Sequence, residues 1–441
     1  MLRALPKFSP ALGAFRSGSR SSVTSNRIAV RTFIPQVNRS PASPMRRKTT
    51  WLEALQAREE GRPVSKSSFI ADPTKEPQIE EKTMDDSYTE ITLPFKEDPW
   101  LLDAYVNSTG RLRIGQIFQD LDALAGVIAY KHCSPADPTI VTASVDRISM
   151  LKRINMQADV ELSGNVTWTG RSSMEITIKA RTIQNDEVFL VANFTFVARH
   201  PVTGKSFPIN KLTLRDDNER QIFERAEMYN AAKKKAAKTG GLLTSPPNVE
   251  EAEIIHAMWI RQQAYEDPES GLERPDSVVP MKDTQMKSTM LMQPQYRNRH
   301  SYMIFGGYLL RQTFELAYCC AAAFTHGSPR FVSLDQTTFR SPVPVGSVLY
   351  LTATVAYTQQ RPSTLTGSPA GTFVQVRVDS TVRDIQHGTA HDSGSFTYTY
   401  FVSGKAVSVL PVSYGEAMQY VEGRRSSIDS LNWNNPVVAM E

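Results

Sequence analysis

The sequence is short of cysteine, of uncharged membrane-length runs and, over its first 52 residues, of acidic side chains altogether. Three cysteines in 441 residues, Cys133, Cys319 and Cys320, are odd in number and two are adjacent. They encode neither a disulfide framework nor a metal-ligand spacing. All three lie in apolar, helix-like runs and are read as small, reduced core residues. One strongly apolar stretch, FGGYLLRQTFELAYCCAAAF at 305 to 324, is interrupted by Arg311 and Glu315. A bilayer span needs about 20 apolar residues with few or no charges, so an enclosed helix of a soluble protein is expected. There is no GxSxG elbow, P-loop, HExxH or CxxC pair, and the seven histidines show no metal-ligand spacing. No metal and no redox cofactor is implied.

The charge is unevenly placed. Residues 1 to 52 hold ten Lys or Arg and no Asp or Glu, so of the net charge of +5 the rest of the chain carries 5 − 10 = −5. A Ser- and Arg-rich, acid-free beginning predicts a mitochondrial transit peptide, with delivery to the matrix. The alternative is a basic tail for anionic surfaces. The basic balance therefore describes delivery, and no nucleic-acid partner is expected.

The chain repeats itself, which is the first thing to settle in a sequence of this length. SVDRISMLKRINMQADVELSGNVTWT from Ser144 aligns without a gap on SLDQTTFRSPVPVGSVLYLTATVAYT from Ser333. Asp146 falls opposite Asp335, Val166 opposite Val355 and Trp168 opposite Tyr357. Each copy runs from an apolar helix (115 to 133; 306 to 324) into alternating β-branched runs at 139, 158, 172 and 188, and again at 330, 347, 372 and 395. Period-two alternation between turn residues reads as antiparallel strands. The fold class is therefore α+β, with a curved sheet wrapped around one long helix in each copy. Between the copies, a helix begins at Asp216 or Asp217, and a second is capped by Asn248 with Glu251 three residues on. The run Lys233 to Lys235 is read as a solvated face.

Chemistry is sought on the buried helices. Asp122 shares a helical face with Phe118, Ala125 and Ala129, where a carboxylate must be paired, hydrogen-bonded or protonated. The alternative is a structural Asp satisfied by nearby backbone. Asp120 shares its face with Gln116 and Lys131 and is expected to be solvated. Asn107 and the glycines up to Gly115 precede the first helix. An N-terminus with free N–H groups and no side chains in the way suits a carbonyl oxygen.

The order N-x-x-G-x-x-x-G from Asn107, LDALAG, VTASVD and GRSSMEI resembles the hotdog-fold acyl-CoA thioesterases, in particular the mitochondrial, double-hotdog acyl-CoA thioesterase 9 type. IFGGYLLRQTFELAY and PVPVGS are similar to that family's second hotdog. The residue patterns divide the chain into a transit peptide and basic segment (1–52), a lead-in (53–84), a first repeat (85–205), a helical linker (206–284), a second repeat (285–410) and a tail (411–441), and the resemblance implies that each repeat is a hotdog domain. It also implies hydrolysis of acyl-CoA, with the hotdogs pairing within the chain and assembling into a homo-oligomer. Its composite sites join a loop Asn of one hotdog to a helix Asp of the other. Carried over, Asn107 matches the Asn and Asp122 the Asp of copy one. In copy two Phe314 stands at the Asp position with Glu315 beside it, and Arg299, flanked by Asn298 and His300, stands at the Asn position. Two sites follow: Asp122 with Asn298, His300, Gly306 and Gly307, which is favoured, and Asn107 with Glu315 and Gly115. Glu315 has a plainer reading as an ion pair with Arg311. Arg171, Ser172 and Ser173 match the family's coenzyme A contact, against an ordinary hairpin turn. The rival functions are a non-catalytic acyl-CoA-binding or scaffold protein and, with less support, an acyl-CoA hydratase.

Overall fold

The computed structural model describes residues 51–60 and 79–438, except 153, 155–157, 240, 241, 243, 244, 299–301, 336 and 363–369. The basic segment expected as a transit peptide lies, but for its last two residues, outside the described residues. The elements below belong to one compact unit, Arg39–Glu441.

In chain order these are β1 (Thr89–Leu93), α1 (Ile114–Cys133), β2 (Thr139–Met150), β3 (Val160–Thr169), β4 (Ser173–Thr182), β5 (Glu187–Arg199), α2 (Asp217–Thr239), α3 (Val249–Glu266), β6 (Met286–Leu291), α4 (Gly306–Thr325), β7 (Arg330–Leu334), β8 (Val348–Arg361), β9 (Gly371–Arg383), β10 (Ala390–Ser403) and α5 (Tyr414–Val438). One eleven-stranded sheet holds all ten strands in the order β1-β3-β4-β5-β2-β7-β10-β9-β8-β6, and the short strand Thr337–Thr338 adds to β2. The order is a palindrome. Read outward from the β2–β7 join, each half places its strands in the same sequence. The join is antiparallel, with Ser333 opposite Ser149 and Leu334 opposite Ile148.

The ungapped alignment of the copies is visible as geometry. β3 shifts register between Val166 and Trp168 and β8 between Val355 and Tyr357, the same aligned positions. A bulge leaves an amide without its ladder partner. The Ser87 hydroxyl accepts from the Val166 N–H at 3.0 Å, and the Thr284 hydroxyl from the Val355 N–H at 3.1 Å. Ser87 and Thr284 each close a one-turn helix that starts at a buried methionine, Met84 or Met281. The repeat therefore extends upstream to the turn before β1 and β6, two strands that alternation did not reveal.

It also extends downstream. Glu227 of α2 accepts from the Trp168 indole at 2.6 Å, Asn230 donates to Glu175 at 3.3 Å, and Lys233 is ion-paired to Asp146. At an offset of 193 residues, Tyr420 of α5 packs edge-on against Tyr357 with ring centroids 5.0 Å apart. Gly423 lies so close to Gln375 that a Cβ would come within 2.5 Å of its Oε1, and Ser426 donates to Asp335 at 2.6 Å. Thus α2 and α5 are counterparts, each laid on its own half of the sheet. Lys233, expected on a solvated face, is half-buried in this contact. For α3 the expected cap is present: Asn248 and Glu251 form a reciprocal capping box.

Most of α1 is buried, whereas α4 keeps a partly exposed stripe at Arg311, Glu315 and Ala323. Asp120 corrects the expectation of a solvated carboxylate: it is 1% exposed and accepts from the Tyr105 hydroxyl at 2.5 Å. The short helix Pro99–Tyr105 covers the face that a lone amphipathic helix would have left in water. Cys133 and Cys320 are core residues as expected, but Cys319 is exposed.

Removing either bulge cap should leave a buried amide unpaired, costing about 1–3 kcal/mol. Ser87→Ala and Thr284→Val should each lower the unfolding free energy measured in urea by that amount. A change within error in both would mean that the bulge amides find another partner.

Candidate active site

The α4 helix begins without a side-chain cap of its own, because its N-cap residue is Phe305. The first N–H groups of a helix have no partner inside it and carry partial positive charge. Asp122, from the middle of α1 in the other half, supplies the cap. Its Oδ2 accepts from the Gly307 N–H at 2.6 Å, and its Oδ1 from the Thr142 hydroxyl on β2 at 3.0 Å. The approach requires glycine: a Cβ at Gly306 would stand 3.1 Å from Oδ2, and one at Gly307 would stand 3.0 Å from the Asp122 Cβ.

Asp122 is fully buried. Burial away from any cation pushes its carboxyl up to about 7, against the opposing pull of the Thr142 and Gly307 hydrogen bonds. The two donors hold the carboxylate in place, while the apolar surroundings keep it basic. This is the constellation expected of a general base or carboxylate nucleophile near neutral pH.

The pseudo-symmetric position carries no such group. By the alignment, Phe314 stands for Asp122 and Phe331 for Thr142. The hydrogen-bonded pair of one half is an edge-on aromatic pair in the other, with centroids 5.5 Å apart, and Phe118 packs on both rings. Gly115 touches Phe314 as Gly307 touches Asp122: a Cβ there would lie 3.2 Å from the ring. Like α4, α1 starts without a side-chain cap, and Phe314 cannot supply one.

The other predicted residues fall as follows. Asn107 closes its own loop, its Oδ1 accepting from Thr109 N at 3.0 Å, Thr109 Oγ1 at 2.8 Å and Arg111 N at 3.0 Å. It lines a cavity of about 1020 Å³ together with Glu315 and Arg113. Glu315 is engaged: Arg113 donates to its Oε1 at 2.6 Å and Arg311 at 3.3 Å. The pairing with Arg311 was legible from the spacing; the closer partner, from the opposite half, was not. Arg171, Ser172 and Ser173 form the β3–β4 hairpin turn, where the Gly170 N–H donates to Ser173 O at 2.8 Å and Arg171 O accepts from Ile209 N at 3.1 Å. Asn298 is held through its backbone N–H to Met303 O at 2.7 Å. His300 lies outside the described residues. Among the described residues no group of His, Cys, Asp and Glu could hold a metal. Thr142 was missed in the sequence, since a strand threonine 20 positions from its partner carries no local signal.

A family model described as Thioesterase superfamily matches residues 109–189. The mitochondrial acyl-coenzyme A thioesterase 9 of Mus musculus is 33% identical over 390 residues, covering 86% of this chain and 84% of that protein. The chain belongs to the acyl-coenzyme A thioesterase family. Among other members, the mitochondrial thioesterase 9 of Homo sapiens is 32% identical over 389 residues, with 86% and 84% covered. A chloroplastic acyl-coenzyme A thioesterase 2 of Humulus lupulus is 34% identical over 377 residues, with 80% and 84% covered. A solved hexameric acyl-CoA thioesterase without ligand, 26% identical, covers 36% of this chain and 98% of its own at a TM-score of 0.31. The hotdog fold of the family is the helix-in-sheet architecture described above.

Because the Thr142 hydroxyl favours the ionised form of Asp122, Thr142→Val should raise that carboxyl further above about 7. The ascending limb of the kcat/KM–pH profile should move to higher pH. A limb that stays in place would mean that Asp122 is not the group titrating in it.

Proposed function

We propose that this thioesterase hydrolyses fatty acyl-CoA to free fatty acid and coenzyme A at one site per chain, built on Asp122. The observation that carries this reading is the buried carboxylate clamped between the Thr142 hydroxyl and the Gly307 amide at the start of α4. In hydrolysis, the ionised Asp122 takes a proton from water as the oxygen bonds to the thioester carbon. The C–S bond then breaks and the proton passes to the departing thiolate. Alternatively, the carboxylate attacks the carbonyl carbon itself, expelling the thiolate, and water cleaves the resulting anhydride.

Gly307 gives its N–H to Asp122, so the carbonyl oxygen would be held by the first amide of the helix, that of Gly306. Asn298 and His300 remain the proposed orienting groups from the neighbouring loop, and Arg171 to Ser173 the proposed coenzyme A contact. Glu315, committed to two arginines, is assigned a structural role. The clamped and basic Asp122 favours catalysis over the scaffold reading.

The mitochondrion, and within it the matrix, is the proposed compartment, supported by the basic, acid-free segment 1–52 and by the names of the mitochondrial relatives. No described helix is long and apolar enough to cross a membrane. A homo-oligomer is proposed from α3, which leaves Val249, Trp259 and Ile260 more than half exposed, an apolar surface suited to burial between copies.

Asp122→Asn preserves the shape, with its oxygen accepting from Gly307 and its amide donating to Thr142. It should lower kcat by about 10²–10⁴-fold, read as thiol release from acyl-CoAs of increasing length, whereas Glu315→Gln should stay within about twofold. The carboxyl of Asp122 is higher in the folded than in the unfolded chain, so its stabilising contribution is present below about pH 4 and is lost as pH rises through about 7. At pH 8 the Asn variant should therefore melt no lower than the wild type. Hydrolysis undiminished in Asp122→Asn would overturn the assignment.

A further inference from the structure

The cavity of about 1020 Å³ does not lie at the Asp122 clamp. It opens on the opposite, aromatic position, between the Asn107 loop and α4. Its size is on the scale of ligand pockets, a few hundred to about 1,000 Å³. One wall is apolar: Met150, Phe314, Tyr318, Phe331 and Phe373. Four cationic side chains, Arg111, Arg113, Lys152 and Arg330, line it against a single carboxylate, Glu315. Arg113 and Arg311 share that carboxylate, which leaves positive charge over at the cavity wall. Lys152 is balanced by Glu187 at 3.1 Å. No base faces the space where the other half holds Asp122, because Phe314 and Phe331 occupy it.

We propose that this cavity is a second, non-hydrolysing ligand site that takes an acyl chain ending in an anionic group, as in a fatty carboxylate or an acyl-CoA. The aromatic wall would bury the chain, and the excess guanidinium charge at Arg113 would meet the anion. The term "non-hydrolysing" rests on the catalytic reading of Asp122; the binding itself does not. Such a site would let one chain hold product or substrate next to the helix pair that carries out hydrolysis. Phe314 touches Gly115 and Phe118 of α1, and Asp122 lies one turn beyond Phe118.

The chain carries its own reporter. Cys319 is exposed and lines the cavity, whereas Cys133 and Cys320 are buried with thiols pushed up to about 12. A maleimide should therefore label Cys319 alone in the folded full-length chain. Palmitate should slow that labelling at least tenfold, and so should palmitoyl-CoA in the Asp122→Asn variant. Coenzyme A without an acyl chain and inorganic phosphate should change it less than twofold. Arg113→Gln should raise the palmitate concentration needed for half-protection several-fold. No protection by either acyl ligand would overturn the proposal, as would equal protection by coenzyme A alone, which would mark a nucleotide site. The catalytic reading fails by a different readout, thiol release that persists in Asp122→Asn.

Discussion

The contact between α1 and α4 is the constraint on which the rest depends. Two helices, each wrapped by its own half of one sheet, touch through Gly115 and Gly307. A Cβ at either position would press on the residue that the opposite helix presents there. That closeness lets a side chain from one half act as the cap of the other half's helix. A carboxylate at such a helix start gains two donors and the favourable end of the backbone dipoles. Asp122 itself is fully buried there. The same contact thus positions Asp122, holds it and keeps it basic.

A symmetric pair would carry the arrangement twice, and this chain carries it once. Replacing Asp122 and Thr142 by Phe314 and Phe331 removes a buried carboxylate, whose desolvation must be offset by both donors. It substitutes edge-on ring contacts, which add about 0.5–1.5 kcal/mol each beyond their area. Phe118 and Tyr400 complete the cluster. The aromatic half serves stability, and the polar half retains the strain of a carboxyl held far above its ordinary value. Glu315, one position after Phe314, points to a neighbouring arginine pair and does not restore the lost group.

Much of the architecture was legible because it rests on period and register. The β-branched alternation located eight strands, and the ungapped alignment from Ser144 to Tyr357 carried the bulge at the same position in both halves. Asp122 was legible because a carboxylate on a helix face with Phe118, Ala125 and Ala129 has few innocent explanations. What was hidden depends on contacts between distant residues. β1 and β6 are short, and their role rests on Ser87 and Thr284 reaching bulge amides about 70 to 80 residues away. The kinship of α2 and α5 rests on Glu227 and Tyr420, or Lys233 and Ser426, chemically unlike pairs that meet equivalent strand positions. Asp120 looked solvated because the Pro99–Tyr105 helix that covers it has no counterpart in a helical wheel.

On the proposed function, the carboxyl of Asp122 is the group whose ionisation drives hydrolysis. Its titration can be followed directly by carbon NMR of the chain labelled at aspartate carboxyls, with the Asp122 signal assigned by its absence in the Asn variant. A midpoint near 7 is expected, coinciding with the ascending limb of kcat/KM. An Asp122 signal that titrates in the ordinary carboxylate range near 4, with the rate limb elsewhere, would contradict it.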